Sequence, residues 1–348
     1  MSLIRSRLIF LVFSLTIAGA LSAQTSWTAQ YSGVADSLMN VKALNDMVVW
    51  GVGSGGCVVR TTDGGKVWDR CGTPLPHFVN VCVEPLNAMI AWVVSIDASG
   101  TDFRIFKTFD GGKKWGQAFR TANTFGDAVR FFDSEHGIAL GDPYPAGYFN
   151  VYTTSDGGTS WHRVAPDMIP PADSVTGEFG VTACLRLIGK DAWFSTASQS
   201  GDFSPRVFRS TDRGKSWTAS QPIKGLSGIA VSLDFSDRLH GVIVDNLGGR
   251  WAETGDGGTT WRVHDMRRLL WLRDIRIIPG SGALIVAGGE PDSGYVLVRR
   301  PGHSWKPVPL PPGTERIRSA SFISKRIGWV VGGGGQILKW TGGDITRQ

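Results

Sequence analysis

Five copies of one short turn constrain this chain more than its composition does. TTDGGKVW (61–68), TFDGGKKW (108–115), TSDGGTSW (154–161), STDRGKSW (210–217) and TGDGGTTW (254–261) each set a Trp five residues after an Asp. The Asp residues are Asp63, Asp110, Asp156, Asp212 and Asp256, spaced 47, 46, 56 and 44 positions apart; the Trp residues are Trp68, Trp115, Trp161, Trp217 and Trp261. A decayed sixth copy, RRPGHSW, ends at Trp305, and LKWTGGD (338–344) reads as a seventh that stops before its Trp. Self-similarity at this period is the mark of a repeat architecture.

Within each period the pattern is an alternating strand, a polar turn, a second strand often carrying Trp, a Gly-rich loop and a third strand that runs into the Asp turn. CVVRTTDGG, RIFKTFDGG and VYTTSDGG are β-branched or aromatic runs closed by an Asp-Gly hairpin signal. Adding the Trp-bearing strand after the turn gives four short strands per unit, the content of a β-propeller blade. The spacing therefore predicts an all-β, seven-bladed propeller over residues 24–348, one domain, with the ring closed by an N-terminal strand around Trp27 that completes the last blade.

The repeated turn reads as a staple. Its Gly residues reach positive φ without strain, and its Asp can accept hydrogen bonds from its own backbone. The Trp offers a large apolar surface to the space between sheets. Five equivalent carboxylates around a ring share no partner with which to do chemistry.

Residues 1–23 differ from the rest. Arg5 and Arg7 precede the apolar stretch LIFLVFSLTIAGALSA, the form of a cleaved export signal, which predicts a periplasmic or extracellular mature protein. Its removal lowers the net charge from +6 to +4, too mild for a nucleic-acid binder. The charge is uneven: residues 262–326 hold twelve Lys and Arg against five Asp and Glu.

The turns S/T-x-D-x-G-x-x-W are Asp-boxes (BNR repeats). Together with FFDSEHGIALG (131–141), FSDRLHGVIV (235–244) and FISKRIGWVVG (322–332), they make the chain resemble the photosystem II stability/assembly-factor propellers, over nearly the whole mature length. The box also occurs in sialidases, sortilin-type receptors and xyloglucanases. The resemblance implies a non-enzymatic propeller that binds a protein partner, with its basic surface as the docking face. It carries over no photosynthetic role by itself, because a fold does not fix a function.

Binding on a propeller is expected on the rim away from the boxes. There the segment 264–277 offers Arg267, Arg268, Trp271, Arg273 and Arg276, a mixture of cations and an aromatic suited to an acidic or planar partner. Alternatively, Arg273 and Arg276 pair with acids such as Asp274 and Glu315. The long loops 140–150 and 196–206 add Asp142, Tyr144, Tyr148 and Arg206. The expected partner is a protein of the cell envelope or membrane, bound by a monomer; carbohydrate is the alternative ligand, nucleic acid is not expected, and no metal or cofactor is implied.

The competing reading is a secreted carbohydrate-active propeller, sialidase-like, xyloglucanase-like or lectin-like. A sialidase resemblance would require an F/Y-R-I-P motif, and the nearest string, FRIF at 103–106, lacks its Pro. A xyloglucanase resemblance implies two carboxylates facing a cleft between two propellers, and this chain has units for one.

Finally, Cys57 and Cys71 flank the first box almost symmetrically. Across a hairpin they would face one another, and an exported compartment permits a disulfide. Both the bridged and the free state remain open at this point.

Overall fold

The structure is a computed structural model. It describes residues 26–347 except 144–146, 199, 201–202, 227–229, 247–248 and 267–270, with only the backbone of 230 and 231. The export signal expected at 1–23 lies outside the described residues.

The strands form seven antiparallel four-stranded sheets. Six are built from consecutive strands, beginning with the inner strands Leu38–Ala43, Val79–Pro85, Gly126–Phe131, Phe179–Ile188, Ala230–Phe235 and Leu272–Ile277. The seventh begins at Ile317–Ser324 and takes its outermost strand, Trp27–Gln30, from the other end of the chain. Trp27 is paired with Trp340 and Thr28 with Lys339, so the ring closes as the spacing predicted. Gln30 locks the joint: its Oε1 accepts from the indoles of Trp68 (3.2 Å) and Trp329 (3.1 Å), and its Nε2 donates to Gly64 O (3.0 Å). Three backbone and side-chain groups of blades one and seven thus depend on one amide.

Each box satisfies itself as expected. Thr61 Oγ1 donates to Asp63 Oδ1 (2.8 Å) and accepts from Gly65 N–H (2.9 Å), while Val67 N–H donates to Asp63 Oδ1 (3.0 Å). The pattern repeats at Asp110, Asp156, Asp212 and Asp256. The turn also docks on its own blade, since Gly64 N–H donates to Met47 O and Gly111 N–H to Met89 O, each at 2.9 Å. Boxes and first-to-second-strand turns therefore share one end of the ring, leaving the longer loops at the other.

A cation clasp between blades accompanies the second-strand Trp. Trp50, Trp92, Trp193 and Trp329 are paired across the sheet with Arg60, Lys107, Arg209 and Lys339. Each cation lies 4.9–5.5 Å from its Trp ring centroid. Lys107 then donates to Gly157 O in the next blade (2.7 Å), and Lys339 to Gly64 O (3.0 Å). The repeat thus encodes a blade-to-blade tether beside the box itself.

The cysteine geometry corrects the expectation of a facing pair. Val59 is paired with Arg70 and Arg60 with Asp69, so Cys71 stands opposite Val58, not Cys57. A slip of one residue moves a side chain to the other face of a sheet. Cys57 packs with Val59 and Trp68 toward blade seven, whereas Cys71 packs with Val58 and Trp50 toward blade two. Both are free, buried thiols.

Candidate functional site: the open mouth of the channel

The seven inner strands surround an axial channel, and each has a bulge near its start, for example between Leu272 and Asp274 and between Ile317 and Ser319. A bulge leaves one residue unpaired and re-aims its side chain. That residue is Met39 in blade one, Val81 in blade two, Asp127 in blade three, Arg273 in blade six and Arg318 in blade seven. On the side away from the boxes, Met39, Val81, Phe179, Arg273 and Arg318 line a cavity of about 260 Å³, with Asp274 and Arg276 deeper in.

Arg316 stands beside the two bulge arginines, fixed by Nε to Gly289 O at 2.8 Å. Among the described residues no carboxylate forms an ion pair with Arg273, Arg316 or Arg318. Burial, then the charges of Arg316 and Arg318, pull Arg273 below the usual guanidinium value; burial, then Arg316, do the same to Arg318. The Nε of Arg273, the Nε of Arg318 and the Tyr295 hydroxyl are all buried without a hydrogen-bond partner. Buried donors left unpaired are costly, so this constellation presents positive charge and idle donors to whatever enters.

Asp274 does not neutralise it. Its carboxyl is saturated by Ser232 Oγ (2.7 Å), Ala320 N–H (2.7 Å) and Arg276 Nη2 (3.0 Å). Arg276 in turn donates Nε to Ala320 O (3.2 Å) and Nη1 to Leu233 O (3.4 Å), tying blades five to seven together. The alternative of acid pairing thus holds for Arg276 and fails for Arg273.

The remaining candidates separate. Trp271 is 41% exposed at the rim of the mouth, and Tyr148 is 36% exposed on its loop. Arg206 is committed inward: Nε donates to Glu178 Oε1 (3.0 Å), Nη2 pairs with Glu178 Oε2 and also reaches Pro171 O (2.8 Å). Asp142 is also turned inward, accepting from Gly180 N–H at 2.6 Å, with the buried Asp127 against the same glycine. Burial holds both carboxyls above the usual range, Asp142 at about 6, and the neighbouring Asp142 charge raises Asp127 further. Arg267, Arg268 and Tyr144 lie outside the described residues.

Arg316, Arg318 and Tyr295 were not among the sequence candidates. Alignment of IRSASF (317–322) with LRDIRI (272–277) on their inner-strand positions puts Arg318 level with Arg273, and that was the available signal.

With the site in view, the chain can be set against known proteins. No protein-family model matches it, and no curated protein matches its sequence. Among solved structures it is similar to YCF48 bound to a D1 peptide, with a TM-score of 0.68, 16% identity, and 91% of this chain and 97% of that one covered. It is similar also to YCF48 from Cyanidioschyzon merolae, with a TM-score of 0.68, 16% identity and 90% and 98% covered. The fold is that of the YCF48 propellers. The GH74 xyloglucanase from Xanthomonas campestris shares it too, with a TM-score of 0.67 and 11% identity over 91% of this chain but 54% of the enzyme. At these identities the likeness to YCF48 and to the xyloglucanase carries architecture alone.

Proposed function

We propose that this protein is an exported, non-enzymatic propeller that binds an acidic segment of a protein partner at the open mouth of its channel. The observation that carries the reading is the group of three guanidiniums, Arg273, Arg316 and Arg318, which lack a carboxylate partner and crowd one another. Guanidiniums in this state gain most from a desolvated carboxylate, which they grip through two parallel N–H groups. Exposed Trp271, two residues before Arg273 in the chain, offers an apolar contact of the kind that anchors interfaces. A propeller of the same architecture holds a peptide in YCF48 bound to a D1 peptide, which supports a peptide-binding role here. The signal-like segment at residues 1–23 supports a partner in the cell envelope.

A glycosidase reading is less well supported. Hydrolysis of a glycosidic bond needs two carboxyl groups held about 5 Å or more apart across the substrate. The carboxyls near the mouth, Asp127 and Asp142, crowd the same Gly180 in place of flanking a cleft, and Asp127 is 1% exposed.

The test is paired. Capture of partners from the native envelope should be lost in Arg273→Glu/Arg318→Glu while the variant keeps its fold by circular dichroism. Turnover of β-glucans or sialosides by the wild-type protein would overturn the non-enzymatic reading.

A further inference from the structure

At the box end the channel opens into a second chamber of about 340 Å³, which adjoins the mouth at Asn40, Ala183 and Arg276. One residue from each inner strand stands at its level: Lys42, Glu84, Arg130, Arg186, Asp234, Arg276 and Ser321. Four cations therefore face two carboxylates. Asp234 is already taken by Arg186 Nε (3.0 Å) and Ile277 N–H (2.9 Å), and Glu84 lies 3.4 Å from Arg130. Arg276 is occupied with Asp274, Ala320 O and Leu233 O.

Two groups are left over. Among the described residues the Lys42 ammonium makes no hydrogen bond or ion pair, and Arg186 uses its Nε alone. Glu84 attracts the Lys42 charge, but burial and the charges of Arg130, Arg186 and Arg276 outweigh it and bring the amine down to about 8. Lys42 thus shares its one nearby counter-charge, Glu84, with Arg130, and the ammonium held among guanidiniums with an open chamber in front of it is left under-neutralised.

We propose that this chamber binds a small oxyanion, a phosphate or carboxylate group, between Lys42 and the Nη groups of Arg186. The site shares no ligand-facing residue with the mouth and stands or falls separately from the partner-binding reading.

The experiment is amine acylation of the mature protein near pH 8, read at Lys42 by peptide mass spectrometry. Inorganic phosphate and acetate are compared with chloride at matched ionic strength. A bound anion favours the charged amine, and a rise of about one pKa unit cuts the free-amine fraction about fivefold at that pH. Protection by phosphate or by acetate, beyond that by chloride, supports the site and tells the two chemistries apart. The same anion should raise the melting temperature of wild type and of Lys42→Arg, but not of Lys42→Met. Labelling that follows ionic strength alone, or equal thermal shifts in Lys42→Met, overturns the proposal.

Discussion

Arg273 and Arg318 occupy the same bulge position in neighbouring blades, and no described carboxylate neutralises either. Their mutual repulsion has a consequence for the empty protein. Arg318→Gln should stabilise it by about 0.5–1 kcal/mol, the amount left after solvent screening, and the gain should shrink in high salt. Thermal melts at two ionic strengths check this. A loss of stability would mean that Arg318 has a structural partner after all.

The buried carboxyl pair gives the fold a pH dependence with a definite sign. Asp127 and Asp142 are both held above the usual carboxylate value of 3.8 by burial, and Asp142 raises Asp127 further. A group raised in the folded state contributes stability at acid pH that is lost as pH rises through its folded value. Asp142→Asn keeps an acceptor for Gly180 N–H and offers Asp127 a donor. It should raise stability at pH 8 and flatten the slope between pH 5 and 8, as followed by urea unfolding; an unchanged slope would contradict the pairing.

The boxes act in the opposite direction. Asp63, Asp110, Asp156, Asp212 and Asp256 are all depressed, Asp256 to about 2, chiefly by hydrogen bonds from their own turns working against burial where the carboxyl is partly covered. Stability they contribute is present above the unfolded carboxylate value and is lost as pH falls through the folded ones. Acid unfolding should therefore set in below about pH 4, and Asp156→Ala should move its midpoint upward.

Much of this fold was legible because each blade repeats one local solution. The Asp-Gly turn, the alternating strands and the Trp spacing are short-range signals, and the closure at Trp27 followed from counting units. What escaped the reading depends on register and on contacts between blades. The Cys57–Cys71 pairing missed by one residue, which a symmetric count around the turn could not resolve. Arg318 and Tyr295 come together with Arg273 only through a bulge and a blade junction, and Arg206 finds Glu178 twenty-eight positions away. Local sequence pattern does not encode such meetings.

The closing joint is open to a direct stability test. Gln30→Ala leaves the indole N–H groups of Trp68 and Trp329 without their acceptor, and buried donors so orphaned cost about 1–3 kcal/mol. Trp27→Ala removes a side chain that is 4% exposed and should cost about 3–5 kcal/mol, measured by denaturant unfolding. If neither change lowers the midpoint, the N-terminal strand does not close the ring.

Burial pushes both Cys57 and Cys71 up to about 11, so neither thiol is reactive near neutrality while the protein is folded. The non-reduced mature protein should carry its full count of thiols, all alkylated only after unfolding. A mass two hydrogens lower would place a bridge where the register forbids one.

The claim that the open mouth is the docking face is tested most directly by site-specific photocrosslinking in the native cell. A photoreactive residue at position 271 reports on the mouth, and one at position 109 on the box end, where Phe109 is 67% exposed. The account predicts a discrete protein adduct from 271 that disappears in Arg273→Glu/Arg318→Glu, and none from 109. An adduct from 109 alone, or one from 271 that survives the charge reversal, would contradict it.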